Sequence, residues 1–260
     1  MSVFQSIILG IVQGLTELLP ISSSGHLFLI PWILKWDIPE SFDVALHAGT
    51  LMAIGIFFFK DWIELLKGAY KQTIKKEKNR EGTMFWYIVL ATIPGGIIGF
   101  VLDKFFGDLL TKPLIIAIML VIMGILLYFV DKKAPKNTKY EEMTLKQTFL
   151  IGLSQALAFI PGVSRSGITM TAGRAMGIER EAVAKYSFML SAPIVLAATL
   201  YKFKDFVFDL PFIIGVLTSF LVGMFVIKFL LNYLKKGDFK WFAIYRVIVG
   251  LFVIFYYLLS

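Results

Sequence analysis

The sequence predicts an all-α polytopic membrane protein, with six transmembrane helices and two re-entrant helical hairpins in an inverted-topology repeat. Three observations predict this fold. The mean hydropathy is +0.78, and 58% of the 260 residues are hydrophobic while only 17% are charged. A soluble domain of this length needs more polar surface. The apolar residues form long runs rather than amphipathic stripes, and two of these runs are interrupted in the same way.

Six runs approach the length of about 20 residues that crosses a hydrocarbon core. They are 42–59, 85–102, 113–130, 182–201, 210–234 and 241–259. We take 1–35 as mature structure because the N-terminus lacks the positive region of a secretory signal. The absence of cysteine excludes a disulfide framework and any thiolate metal site.

Two further apolar stretches, about 1–35 and 147–175, are not simple spans. Proline, glycine and serine interrupt them at 20–25 and at 161–167. Irregular backbone at membrane depth is tolerated only where protein or a wet cavity receives it. Each stretch is therefore predicted to be a re-entrant helix–break–helix hairpin.

The two interrupted stretches are also copies of each other. A shift of 142 residues aligns Gly10, Gln13, Leu15, Ser22, Ser24 and Gly25 with Gly152, Gln155, Leu157, Ser164, Ser166 and Gly167. Because three spans lie between the copies, the second hairpin is expected to enter from the opposite face. We therefore interpret 1–260 as one membrane domain built from inverted repeats of about 1–130 and 147–260.

The distribution of lysine and arginine predicts the orientation. Segments 60–84, 131–146, 174–185 and 235–240 hold seven, five, three and three of them, and such loops are cytoplasmic by the positive-inside rule. Both termini then lie on the outer face. The same distribution explains the net charge of +8 without a nucleic-acid partner.

The hairpins place ionisable and hydroxyl groups at membrane depth. Gln13 and Glu17 are four residues apart, so they share a helix face, and a charged group in a bilayer is costly enough to indicate function. Arg165 follows a break between serines, where helix N-terminal N–H groups and a guanidinium suit an anion. The alternatives are that Arg165 snorkels or pairs with Glu17, and that His26 is a packed core histidine.

A pseudo-two-fold axis would bring the two breaks together. The resulting set of carboxylate, imidazole, hydroxyls, arginine and helix N-termini suits phosphoryl transfer. Other polar residues in the spans are weaker candidates. His47 either lines the cavity or packs, and Arg246 and Lys228 are expected to snorkel or to form pairs.

The Gln-x-x-x-Glu pattern at 13–17, the Ser-Ser-Ser-Gly-His run at 22–26 and the Pro-Gly-x-Ser-Arg-Ser-x-x-Thr motif at 161–169 carry a family resemblance. They resemble the signature motifs of the bacterial undecaprenyl-diphosphatase family linked to bacitracin resistance. The resemblance covers essentially the whole chain, including Leu-His-Ala-Gly-Thr at 46–50. It implies hydrolysis of undecaprenyl diphosphate to undecaprenyl phosphate and inorganic phosphate in the bacterial inner (plasma) membrane, which recycles the lipid carrier of cell-wall synthesis.

The resemblance also implies roles for individual residues. The catalytic residues would be Glu17, Ser23, His26 and Arg165. From the hairpin sequences themselves, the expected phosphate-binding residues are Ser22, Ser24, Gly25, Ser164, Ser166, Gly167 and Thr169, together with Gln13 in a hydrogen-bonding role. A divalent cation, magnesium or calcium, would be held by Glu17 or mainly through substrate phosphates, because Gln13 stands where some members have a second glutamate.

Several alternatives remain open from the sequence. The nucleophile is Ser23, with Glu17 or His26 as its base, or it is His26 itself. A transporter or flippase for polyprenyl phosphate would need the same anion site but not a nucleophile with its base. A purely structural scaffold fits poorly with buried charge. A homodimer is one arrangement that the sequence leaves untested.

Overall fold

The computed structural model describes residues 1–135 and 137–259, and for residues 103, 108 and 109 it describes the backbone only. Helices make up most of this described chain. In order, they are α1 Val3–Thr16, α2 Ser23–Leu34, α3 Glu40–Phe57, α4 Phe59–Ile74, α5 Arg80–Leu110, α6 Pro113–Lys133, α7 Leu145–Ser154, α8 Arg165–Ala175, α9 Arg180–Lys202, α10 Leu210–Leu234 and α11 Lys240–Leu259. Short 3-10 turns occupy Tyr140–Glu142, Gln155–Phe159 and Phe203–Asp205.

Five helices in the described part of the chain are long and apolar enough to cross a membrane. They are α5 over Arg80–Leu102, α6, α9, α10 and α11, and the bent pair α3–α4 brings the number to six. Their lipid-facing sides are rich in exposed leucine, isoleucine and phenylalanine. The prediction of an all-α polytopic membrane protein is confirmed.

Two of the predicted boundaries were wrong. The stretch 60–84 was predicted to be a loop, but α3 bends by 73° at Phe58 and continues as α4. Charged residues lie on the exposed side of α4, whereas Leu65, Gly68 and Ala69 are buried, so an amphipathic helix packs here against α5. The helix predicted over 85–102 is also longer, because α5 ends only at Leu110, shortly before Pro113 begins α6.

Both interrupted stretches are broken helices, as predicted. α1 ends at Thr16 and α2 begins at Ser23. α7 ends at Ser154, tightens into the 3-10 turn, and reaches α8 through Pro161 and Gly162. Gly162 has φ +93°, and a Cβ there would lie 2.5 Å from the carbonyl oxygen of Ile116. Glycine is therefore required at this turn for both backbone conformation and space.

Four helices of the first half each pack against a helix of the second half. α1 packs along α10, and α7 packs along α5. α3 packs against α9, and α6 packs against α11. Both broken helices are thereby enclosed by helices from the two halves, and their breaks lie in the interior of the bundle.

A buried ion network fixes the end of α8. Arg174, fully buried, donates from Nε to Asp131 Oδ1 at 2.7 Å, and Arg180 donates to both oxygens of the same carboxylate. Arg174 also binds the carbonyl oxygens of Ala134, Pro135 and Ile178. The network joins α6, α8 and α9, and it was not anticipated from the sequence.

Candidate active site

The two breaks have the same local geometry. Ser22 and Ser164 are the N-caps of α2 and α8, with φ of 79° and 73°. Each cap hydroxyl accepts a hydrogen bond from the backbone N–H of the glycine three residues on, Gly25 at 3.3 Å and Gly167 at 3.0 Å. A serine or aspartate at this position satisfies one of the free N–H groups of a helix start. Ser22 and Ser164, which are 142 residues apart, therefore cap their helices in the same way.

The breaks lie against each other. The Ser166 hydroxyl donates to the carbonyl oxygen of Leu19 at 3.0 Å. A Cβ on Gly25 would lie 3.6 Å from Cα of Gly162. The starts of α2 and α8 therefore meet at one place, which the repeat predicts.

Arg246 of α11 holds both breaks. It is fully buried, and its guanidinium donates to the carbonyl oxygens of Pro20 at 3.1 Å, Gly162 at 2.8 Å and Val163 at 2.9 Å. A Cβ on Gly167 would lie 2.6 Å from Arg246 Nη1, so glycine at 167 is needed for this approach. The expectation that Arg246 snorkels or forms a pair was wrong, because its guanidinium instead donates to buried backbone carbonyl groups of the two breaks, which need a donor.

Glu17 is the centre of the site. Its carboxylate is 6% exposed, Arg165 donates from Nη2 to its Oε1 at 2.6 Å, and Ser23 donates from Oγ to its Oε2 at 2.5 Å. Arg165 also donates from Nη1 to the carbonyl oxygen of Ser187 at 3.0 Å. The structure thus brings together Glu17, Ser23 and Arg165, three of the four predicted catalytic residues. Ser23 and Arg165 come from the two breaks, and Glu17 precedes the first break.

His47 of α3 joins this group. Its Nε2 lies 3.3 Å from Glu17 Oε2, and its Nδ1 lies 2.7 Å from the carbonyl oxygen of Asp43. His47 thus faces the carboxylate with one ring nitrogen and the backbone of α3 with the other. The guanidinium of Arg165 and the imidazole of His47 therefore both lie against Glu17. The sequence left open whether His47 lines the cavity or packs, and its place in the Leu-His-Ala-Gly-Thr segment at 46–50 was the signal that could have favoured the cavity.

Gln13 lies on the same helix face as Glu17, as its spacing predicted. Its Nε2 is 3.3 Å from Glu17 Oε2 and 3.5 Å from Thr50 Oγ1. The side chain is fully buried. Gln13 thus supports the carboxylate, and its amide nitrogen faces Glu17 and Thr50.

His26 is placed differently from the other predicted catalytic residues. Its Nδ1 is 2.7 Å from the carbonyl oxygen of Ser22, and its Nε2 is 2.8 Å from the Tyr245 hydroxyl, whose ring it stacks on. Among the described residues it is not one of those that contact Glu17 or line the cavity. The structure therefore does not bring His26 to the carboxylate, because the helical turn of α2 directs it toward α11.

The predicted phosphate-binding residues divide into two groups. Ser24 is exposed and lines the cavity. Ser22, Ser164, Ser166 and Thr169 are buried, and their hydroxyls cap or brace the backbone. The Thr169 hydroxyl, for instance, lies 2.8 Å from both the carbonyl oxygen of Arg165 and the Ser187 hydroxyl. These residues shape the site rather than present free donors to it.

A cavity of about 250 Å³ opens beside Glu17. Ser23, Arg165 and His47 contribute its polar wall. Its other walls are mainly apolar, formed by Val44, Ala158, Phe159, Ile194, Val195 and Ala198. A second cavity of about 580 Å³ shares Ser24, Val44 and His47 with it and continues along α2. The site thus combines a polar, charged end with mainly apolar walls.

The side chains do not form a cage for a metal ion. Within residues 1–135 and 137–259 no group of three or more histidine, cysteine, aspartate or glutamate side chains is arranged to hold one. Both oxygens of Glu17 are already bonded to Arg165 and Ser23. Arg165 and Ser23 would therefore share the Glu17 carboxylate with any divalent cation, and Gln13 places an amide rather than a second carboxylate beside it.

The fold and the site define a polytopic α-helical membrane protein with a buried cluster of charged and hydroxyl side chains between two broken helices. The chain belongs to the bacitracin resistance protein BacA family, whose model matches residues 6–252. It is similar over nearly its whole length to proteins named undecaprenyl-diphosphatase. The identity is 50% to the protein of Pelotomaculum thermopropionicum, over 98% of this chain and 96% of that protein, and 45% to that of Moorella thermoacetica, over 98% and 97%.

Proposed function

We propose that this chain hydrolyses undecaprenyl diphosphate to undecaprenyl phosphate and inorganic phosphate. The observation that carries the proposal is the Glu17 carboxylate, which holds the Ser23 hydroxyl on one oxygen and the Arg165 guanidinium on the other. A hydroxyl with its base and an adjacent anion clamp is the arrangement that nucleophilic phosphoryl transfer requires. The activity named for the similar proteins agrees with it.

Ser23 is the nucleophile in this proposal. Its Oγ forms a bond to the terminal phosphorus while Glu17 takes the hydroxyl proton. The bond between that phosphorus and the bridging oxygen breaks, and undecaprenyl phosphate leaves. Water then attacks the phosphoserine, which releases inorganic phosphate and restores the hydroxyl. The 2.5 Å contact favours Glu17 over His26 as the base.

Arg165 binds the diphosphate in this proposal. Two of its N–H groups are used by Glu17 and Ser187, and a guanidinium has five, so donors remain for phosphate oxygens. The free N–H groups at the starts of α2 and α8 add to the attraction. The apolar walls of the cavity beside Glu17 accommodate the first isoprene units, and the rest of the tail lies in lipid.

The inverted repeat and the membrane placement belong to the same proposal. The matching N-caps at Ser22 and Ser164 support two repeats of about 1–130 and 147–260. The packing of helices of one half against helices of the other supports them as well. Both hairpins are re-entrant in this proposal, and both termini lie on the outer face of the bacterial inner membrane. Single cysteines introduced into this cysteine-free chain at Lys35 and Lys78 should react with an impermeant thiol reagent from opposite sides, and reaction from the same side would contradict the orientation.

A divalent cation, magnesium or calcium, enters this proposal only as a counter-ion carried by the substrate phosphates, and no step depends on it. Equilibrium dialysis of the substrate-free protein should then show no tight cation binding, and stoichiometric binding would contradict this. A homodimer stays a prediction. The mass of the detergent-solubilised protein, measured by light scattering, would separate it from a monomer.

The rival function is transport or flipping of polyprenyl phosphate without hydrolysis. Purified protein in detergent should release inorganic phosphate from farnesyl diphosphate, because the nucleophile and its base are already in contact. A Glu17→Gln variant is the control for contaminating phosphatases, and it should release little. Absence of phosphate release by the unaltered protein, with and without magnesium or calcium, would contradict the proposal and favour transport.

A further inference from the structure

Gln155 is a buried polar side chain without a protein partner in the described chain. It is 2% exposed, and neither its amide nitrogen nor its amide oxygen forms a hydrogen bond. It lines the same cavity as Glu17, Ser23 and Arg165. Unpaired buried amides are rare in folded proteins, so each requires an explanation, such as a hydrogen bond to a substrate or to ordered water.

The repeat explains why this amide is free. Gln155 corresponds to Gln13 under the 142-residue shift, and Gln13 donates its amide to Glu17 four residues on. The residue four positions after Gln155 is Phe159, whose ring cannot accept such a bond. The second broken helix therefore has a glutamine amide equivalent to that of Gln13, but it has no carboxylate equivalent to that of Glu17.

The surroundings of the amide favour a ligand group rather than further protein contact. A Cβ on Gly95 of α5 would lie 2.7 Å from Gln155 Nε2, so α5 passes closely on one side. The cavity with Arg165 lies on another. An amide nitrogen donates but carries no charge, and phosphate oxygens are strong acceptors.

We infer that Gln155 is a substrate-binding residue whose Nε2 donates to a phosphate oxygen of the bound diphosphate. The inference rests on the proposed function and names a further residue of that site. Because the bond forms only with ligand, removing the amide should weaken binding without weakening the fold. If Gln155 had only a structural role, its removal would lower the Tm and leave substrate binding unchanged.

The test compares Gln155→Met with the unaltered protein. Methionine keeps the length and flexibility of the side chain and removes both polar atoms. The kcat/KM for farnesyl diphosphate should fall roughly 10- to 100-fold, mainly through KM, as for loss of a hydrogen bond to a charged group. The Tm without ligand should stay equal or rise, because two unpaired buried atoms are gone. Gln155→Leu, made in parallel, covers the case in which methionine packs poorly.

A matched control and a second readout complete the experiment. Thr199→Val removes another unpaired buried hydroxyl, outside the cavity walls, and should leave KM unchanged. The rise in Tm caused by inorganic diphosphate should shrink in Gln155→Met and not in Thr199→Val. An unchanged KM and an unchanged ligand-induced rise, or a fall in Tm without ligand at constant KM, would each overturn the inference. If the unaltered protein released no phosphate, the proposed function would fail, while the diphosphate-induced rise would still decide the role of Gln155.

Discussion

Ser23→Ala is expected to lower the rate of phosphate release from farnesyl diphosphate by about 1000-fold or more while the protein remains folded. The Ser23 hydroxyl is the only group at the site placed as nucleophile in the proposed mechanism, and it contacts Glu17 Oε2 at 2.5 Å. Loss of a nucleophile removes the covalent route entirely, and only binding and electrostatic stabilisation remain. Initial rates of phosphate release, measured on variant and unaltered protein from parallel preparations, check this expectation.

Ser24→Ala is the matched control for Ser23→Ala. Ser24 is the next residue, carries the same hydroxyl and lines the same cavity, but its hydroxyl lies 3.4 Å from that of Ser22 rather than on Glu17. We expect Ser24→Ala to keep at least about a tenth of the activity, since a single peripheral hydrogen bond is lost. Turnover by Ser23→Ala with trapped phosphate on His26 would show that the competing nucleophile is the correct one.

Arg246→Met is expected to lower the free energy of unfolding by about 4 kcal/mol or more. The substitution leaves the carbonyl oxygens of Pro20, Gly162 and Val163 without the donor that holds them, and each unsatisfied buried group costs about 1–3 kcal/mol. Both breaks would then lose their common anchor. Thermal unfolding in detergent measures the effect, and the fraction of protein that stays soluble and monodisperse at each temperature reports the unfolding.

Lys228→Met provides the comparison for Arg246→Met. Both cations were expected to snorkel or to form pairs, but Lys228 is exposed on α10 whereas Arg246 is fully buried. The lysine variant should change the stability by no more than about 0.5 kcal/mol, as for most surface substitutions. Equal Tm values for Arg246→Met and Lys228→Met would show that the arginine does not hold the breaks.

The broken helices and their contents could be predicted because they depend on local sequence. Proline and glycine in apolar runs interrupt a helix wherever the chain is placed. The 142-residue correspondence then indicates which residues occupy equivalent positions. The spacing of Gln13 and Glu17 placed both on one face, and the structure has them in contact.

Other features depend on tertiary packing and leave no trace in local pattern. Arg246 has the same apolar neighbours in sequence as a snorkelling residue, and only the position of α11 against both breaks gives it a role. His47 reaches Glu17 because α3 lies beside α1. His26 is directed toward Tyr245 by the register of α2. Charge density in 60–84 suggested a loop, because the apolar face of α4 is short.

The central claim is that residues from two separate breaks act on one phosphate. An experimentally determined structure with a farnesyl diphosphate analogue, in which a methylene group replaces the bridging oxygen, tests it most directly. The terminal phosphorus should lie about 3–3.5 Å from Ser23 Oγ, with its oxygens on the Arg165 guanidinium. A phosphonate bound away from Ser23, or a structure in which the starts of α2 and α8 are separated, would contradict the claim.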